Sequence, residues 1–182
     1  PAEGEFRNVV HFLYICTLSF HAKSDQMTVT NDEQEKQVIS KQRVADHGEV
    51  YTAKREVNAM LDLVKEETER IDSRFLEPAC GNGNFLVEIL NRKMEVVYRK
   101  HAKNRFEYDL ASAQAVSSMY GVELLLDNVE ACRERLFLLF KEIYHEHQSC
   151  SVSTKLEQCI KFLLKKNILW GDALTMLQSN GM

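Results

Sequence analysis

The 182-residue chain reads as an α/β protein: a partial parallel sheet flanked by helices. Three observations predict it. Stretches with apolar residues at helical spacing alternate with short β-branched or aromatic runs, in the order helix, strand, helix, helix, strand, helix, helix, strand. Each of the three strand signals closes on an acid, Glu77, Glu123 or Asp172. Only two prolines occur, Pro1 and Pro78, as suits a helix-rich chain. Crossovers between the strands are expected to be right-handed.

The elements follow in order. Residues 24–45 are polar and charged and read as a flexible arm or a surface helix. Residues 48–67, "GEVYTAKREVNAMLDLVKEE", carry Val57, Met60, Leu61 and Val64 on one stripe, so a helix is expected there with Thr52 as its cap. "SRFLEPA" is a strand signal. From Asn84 to about Lys100 the spacing predicts a helix, with Phe85, Leu86, Ile89, Leu90 and Val97 on one side. "RFEYDLASAQAVSSM" (105–119) is a further helix and "YGVELL" (120–125) a second strand. Asp127 with Glu130 three residues on resembles a capping box opening the helix over 127–147. Residues 153–167 form another helix, and "ILWGDAL" (168–174) a third strand followed by a turn. Two domains are expected: an N-terminal arm over 1–42 and an α/β unit over 43–182.

Composition narrows the function classes. At 45% hydrophobic and 27% charged residues, the chain suits an ordinary soluble globule with a core. A net charge of −4 argues against a domain that grips nucleic acid unaided, since phosphate binding leaves a basic footprint. Five cysteines without a C-x-x-C pair predict neither a disulfide scaffold nor a zinc knuckle, and point to a reducing cytoplasm. His145-Glu146-His147 reads as a solvated helix face, not a metal site. The longest apolar run, 9–20, is too short to span a bilayer and lacks a cleavage site, so neither a membrane segment nor a signal peptide is expected. Met27 opens a stretch that reads like a natural start. Residues 1–26 are therefore read as an extension, or else as a strand or helix covering an apolar surface.

The informative stretch is "FLEPACGNGNFLVEIL", residues 75–90. In an open parallel sheet, ligands lie at the carboxyl ends of the strands. The strand would end at Glu77, and "PACGNGN" would turn tightly into the next helix. Gly81 and Gly83 allow unusual torsions and close approach of a ligand, and the helix behind them offers unpaired N–H groups. The stretch lacks the third glycine of the dinucleotide fingerprint and the Lys-Ser/Thr of a phosphate loop. Glu77 is placed to accept from a ligand amine or hydroxyl. Glu123 is placed for ribose hydroxyls, and Asp172 for an exocyclic amine. A plain glycine turn with solvated acids explains any one of these features, but three acids at three successive strand ends fit a ligand better.

These residues resemble the cofactor half of the amino-methyltransferases that act on N6 of DNA adenine in restriction–modification systems. "GEVYTAKREVNAML" resembles the family's N-terminal G-x-x-[FY]-T-P segment, matched at Tyr51 and Thr52, with Ala53 in place of the proline. "FLEPACGNGNFL" resembles its D/E-P-A-C-G-x-G-x-F/L motif, which implies that Glu77, Ala79, Gly81 and Gly83 line the methionine portion of S-adenosylmethionine. "YGVEL" resembles the ribose motif and "ILWGDAL" the adenine motif, which carries over Glu123 and Asp172. The likeness covers roughly residues 43–175 and implies a Rossmann-like class I methyltransferase fold, with DNA as partner of the intact enzyme. The family's catalytic [DNS]-P-P-[YFW] run is absent, as is a target-recognition region, so the chain is expected to be inactive by itself and no catalytic residue is assigned. The alternative is a non-enzymatic module that binds a nucleotide-like ligand or assembles with a partner chain. A dehydrogenase using NAD fits less well, because the E-P-A-C-G-N-G run is not expected there. The glycine-loop strand would keep a free edge, and residues 1–26, a second copy or a partner chain are expected to cover it.

Overall fold

The computed structural model describes residues 42, 43, 45, 51–175 and 177–179. The expected arm and extension, and the edge cover assigned to residues 1–26, lie outside these apart from Gln42. The described chain is a mostly helical α/β unit with a four-strand open sheet in the order β1-β2-β3-β4. In chain order the elements are α1 (Lys54–Asp62), α2 (Lys65–Thr68), β1 (Phe75–Glu77), α3 (Asn84–His101), α4 (Arg105–Ser117), β2 (Met119–Glu123), α5 (Leu126–Gln148), α6 (Thr154–Asn167), β3 (Ile168–Asp172) and β4 (Leu177–Gln178).

β1, β2 and β3 are parallel neighbours, with Glu77 opposite Gly121 and Glu123 opposite Trp170. Their carboxyl ends therefore share one side of the sheet, and the three acids climb it in steps of two residues. β4 is a short antiparallel addition to β3 that the strand signals did not announce. Among the described strands, β1 pairs only with β2, so its other edge has no described partner.

Each parallel crossover contains two helices, α3–α4 and α5–α6, so much of the core is helix on helix. Leu86, Leu90, Met94, Tyr108, Leu136, Phe140, Tyr144 and Ile160 are fully enclosed there. Asn104 caps α4 by accepting from the N–H of Phe106 and of Glu107, and Ser153 caps α6 through the N–H of Leu156. Four described cysteines, Cys80, Cys132, Cys150 and Cys159, are free.

Four local expectations fail. The helix expected over 48–67 is two helices, because Val64 leaves helical torsions (φ −122°, ψ 33°) beside an exposed Leu63. Thr52 does not cap it; Ala53 holds that position without a side-chain bond. The Asp127–Glu130 capping box does not form. α5 starts at Leu126, and the Asp127 carboxylate turns to Arg43 at 2.6 Å instead, which holds its pKa below the usual carboxylate value. His147 is not on a solvated face. Its Nδ1 lies 2.9 Å from the buried Tyr108 hydroxyl and its Nε2 3.5 Å from Glu95, because the end of α5 folds against α3 and α4.

Candidate functional site around the glycine loop

β1 ends at Glu77, and the loop 78–83 turns back into α3. Cys80 N–H donates to Val122 O at 3.0 Å, which holds the loop against β2. Gly83 N–H then closes a turn on Cys80 O at 2.8 Å. Gly81 and Gly83 both have positive φ, 51° and 91°, where a side chain is strained. Space enforces the same choice at Gly83, since a Cβ there would lie 2.7 Å from Cys132 Sγ on α5.

Glu123 binds the loop directly. Its Oε2 accepts from Gly81 N–H at 2.8 Å and its Oε1 from Leu125 N–H at 3.0 Å. The expected ribose acceptor is thus buried and braced, and it shapes the loop as well as facing it. Glu77 is different. It is 7% exposed, and its Oε2 has no hydrogen-bond partner. Burial raises its pKa to about 7, so near neutrality it is partly protonated. Glu77 and Glu123 both act electrostatically on Cys80, whose thiol is pushed up by a hydrogen bond with Cys132 and by burial. Two acids, the glycine turn and the two thiols therefore form one compact group.

Tyr51 closes this group from above. Its ring lies 3.1 Å from where a Gly81 Cβ would stand, and its hydroxyl donates to Asn128 Oδ1 at 3.1 Å. Thr52 joins through its carbonyl, which accepts from Asn84 Nδ2 at 3.0 Å. Ala79 lies in the loop with its side chain exposed. Asp172 stands apart from the group. It sits at the far step of the staircase, half-buried, where Oδ1 accepts from Leu174 N–H at 2.8 Å and shapes the turn into β4.

Sequence reading missed Asn82, Asn84 and Arg135. Arg135 Nη1 on α5 bonds Asn84 Oδ1 at 2.6 Å and Asn82 Oδ1 at 3.2 Å, tying the loop to α5. The two asparagines were visible between the glycines. The arginine, some fifty residues away on an amphipathic helix, carried no local signal.

A cavity of about 400 Å³ opens beside the loop, between α1, α3 and α5. Tyr51 and Thr52 line it, but Glu77, Glu123 and Asp172 do not. No cluster of three or more His, Cys, Asp or Glu able to hold a metal ion occurs among the described residues. No described helix is long and apolar enough to cross a membrane. Comparison with protein-family models, with curated proteins and with solved structures finds no match to this chain.

Proposed function

We propose that this chain is the S-adenosylmethionine-binding portion of a DNA adenine-N6 methyltransferase of the restriction–modification type, built on a Rossmann-like class I methyltransferase fold. The observation that carries the reading is Glu77, a buried carboxylate with an unpartnered oxygen at the carboxyl end of β1 beside the glycine turn. A buried acceptor without a partner is costly, and a ligand ammonium or hydroxyl completes it. The α-amino group of the methionine portion is such a donor. The other side chains take graded roles. Glu123 presents its braced carboxylate toward ribose hydroxyls, Tyr51 and Thr52 cover the methionine end, and Asp172 accepts from the adenine amine at the outer step.

These residues bind and orient; none is an acid–base catalyst. Methyl transfer is a direct displacement at the sulfonium carbon and draws its rate from positioning and from hydrogen bonds to the attacking amine. That amine must first leave the duplex and be held. No Pro-Pro run is available among these 182 residues to hold it. DNA enters as the partner of the intact enzyme, and a homo-oligomer or a partner chain is its further partner in assembly.

Calorimetric titration of the chain with S-adenosylmethionine, and separately with NAD, tests the reading. Saturable binding of the methyl donor that weakens about tenfold in Glu77→Gln is expected. Binding of NAD without binding of the methyl donor would overturn it. Binding of neither would favour a module that acts only by assembly.

A further inference from the structure

The cavity between α1, α3 and α5 has its own chemistry, separate from the acids at the strand ends. Two cations and one carboxylate line it, Lys54 and Arg135 against Glu88, and Lys54 pairs with Glu88 at 3.3 Å. Arg135 has no carboxylate within salt-bridge distance among the described residues. All its hydrogen bonds run through Nη1 to the neutral side chain and carbonyl of Asn82 and the side chain of Asn84. Its Nε and Nη2 carry no hydrogen bond among the described residues, and a guanidinium fork of this kind matches a carboxylate or phosphate in two-point contact.

Two further polar groups at the cavity are unused. Neither the Thr52 hydroxyl nor the Asn91 amide has a hydrogen-bond partner among the described residues. Val57, Val87 and Leu139 supply an apolar wall. A few convergent polar groups over an apolar wall, in a space of about 400 Å³, is the usual build of a small-molecule site.

We propose that this cavity is a second ligand site, for a small organic anion whose carboxylate or phosphate seats on Arg135 beside Thr52 and Asn91. Its carbon skeleton lies against Val57, Val87 and Leu139. The proposal stands without the methyl-donor reading, since it uses none of the three acids. The two sites still share Tyr51, Thr52 and the glycine loop, because Tyr51 and Thr52 line this cavity and the guanidinium that takes the anion also braces Asn82 and Asn84.

The test is a titration of the full chain with inorganic phosphate and, in a separate arm, with succinate, at constant ionic strength against chloride. Amide NMR shifts locate the site. Saturable shifts at Asn82, Asn84 and Asn91 are expected, with affinity falling at least tenfold in Arg135→Gln and severalfold in Asn91→Leu, and unchanged in Asp172→Asn. Saturation by succinate alone assigns a carboxylate, by phosphate alone a phosphate, and by both the shared anion. Should Arg135→Gln loosen the loop too far to fold, Asn91→Leu and Thr52→Val decide, since neither side chain braces anything. Wild-type affinity in both variants, or no saturable shift with either anion, overturns the proposal. Displacement of the bound anion by S-adenosylmethionine would make this the donor's amino-acid end, which overturns a separate site while leaving the methyl-donor reading intact.

Discussion

Two buried charges stand at opposite ends of β1, and the fold treats them in opposite ways. At the amino end, Lys93 is fully buried. Its ammonium has four acceptors within hydrogen-bond distance for its three N–H donors, Ser73 O at 2.6 Å, Ser118 Oγ at 2.7 Å, Ile71 O at 3.0 Å and Arg70 O at 3.1 Å. Its Nζ also sits 5.3 Å from the centre of the Phe75 ring. At the carboxyl end, Glu77 is also buried but keeps an oxygen without a partner. Burial moves both groups toward neutrality, Lys93 down to about 7 and Glu77 up to about 7. A charge that only has to hold chain segments together is saturated with acceptors. A carboxyl oxygen left without a donor is an unfinished contact in the fold.

The comparison can be broken first at Lys93. Lys93→Met removes the donor that reaches the Arg70, Ile71 and Ser73 carbonyls and the Ser118 hydroxyl, leaving Ile71 O and Ser118 only their bonds to each other and to Ala115 O, and is expected to lower stability by about 3–5 kcal/mol in urea unfolding. A loss under about 1 kcal/mol would mean that the four contacts are incidental.

Glu77 gives the next largest effect, and it depends on pH. Its folded-state pKa of about 7 lies above the ordinary 4.5. Between those values the folded chain keeps a proton that the unfolded chain has lost. Its contribution is therefore fully present below pH 4.5 and is lost as pH rises through 7, about 3 kcal/mol in all. Lys93, with its pKa lowered from 10.5 to about 7, works in the other sense, adding stability as pH rises from 7 to 10.5. The stability difference between Glu77→Gln and wild type, measured from pH 4.5 to 8, is expected to carry the Glu77 slope. A flat difference would show that the carboxyl is solvated and that the contrast with Lys93 is false.

Two smaller effects sharpen the contrast. Gly83→Ala forces a side chain into a positive-φ residue and against Cys132 Sγ, and is expected to cost about 2 kcal/mol in thermal unfolding. Tyr51→Phe removes the hydroxyl bond to Asn128 and is expected to cost about 1 kcal/mol, with the ring still covering Gly81. An equal loss from both would mean that the Tyr51 hydroxyl holds the loop as strongly as its own turn does.

Much of the architecture was legible before any coordinates. The helices at 84–101, 105–117 and 154–167 follow from apolar spacing, and the turn at 78–83 from its glycines, because both signals are local. The split of α1 from α2 was not legible, since the apolar stripe runs on through Val64. The strand-end acids were found from the same local patterns, but their states were not. Glu123 on Gly81, Arg135 on Asn82 and Asn84, and Lys93 under Ser73 and Ser118 join residues 20 to 53 positions apart on different elements. The sequence by itself determined the long helices, the three parallel strands and the tight turn, since periodicity and glycine act over a few residues. Only the tertiary structure decided which buried charge is saturated and which is left open, because that depends on which distant backbone groups packing brings within about 3 Å.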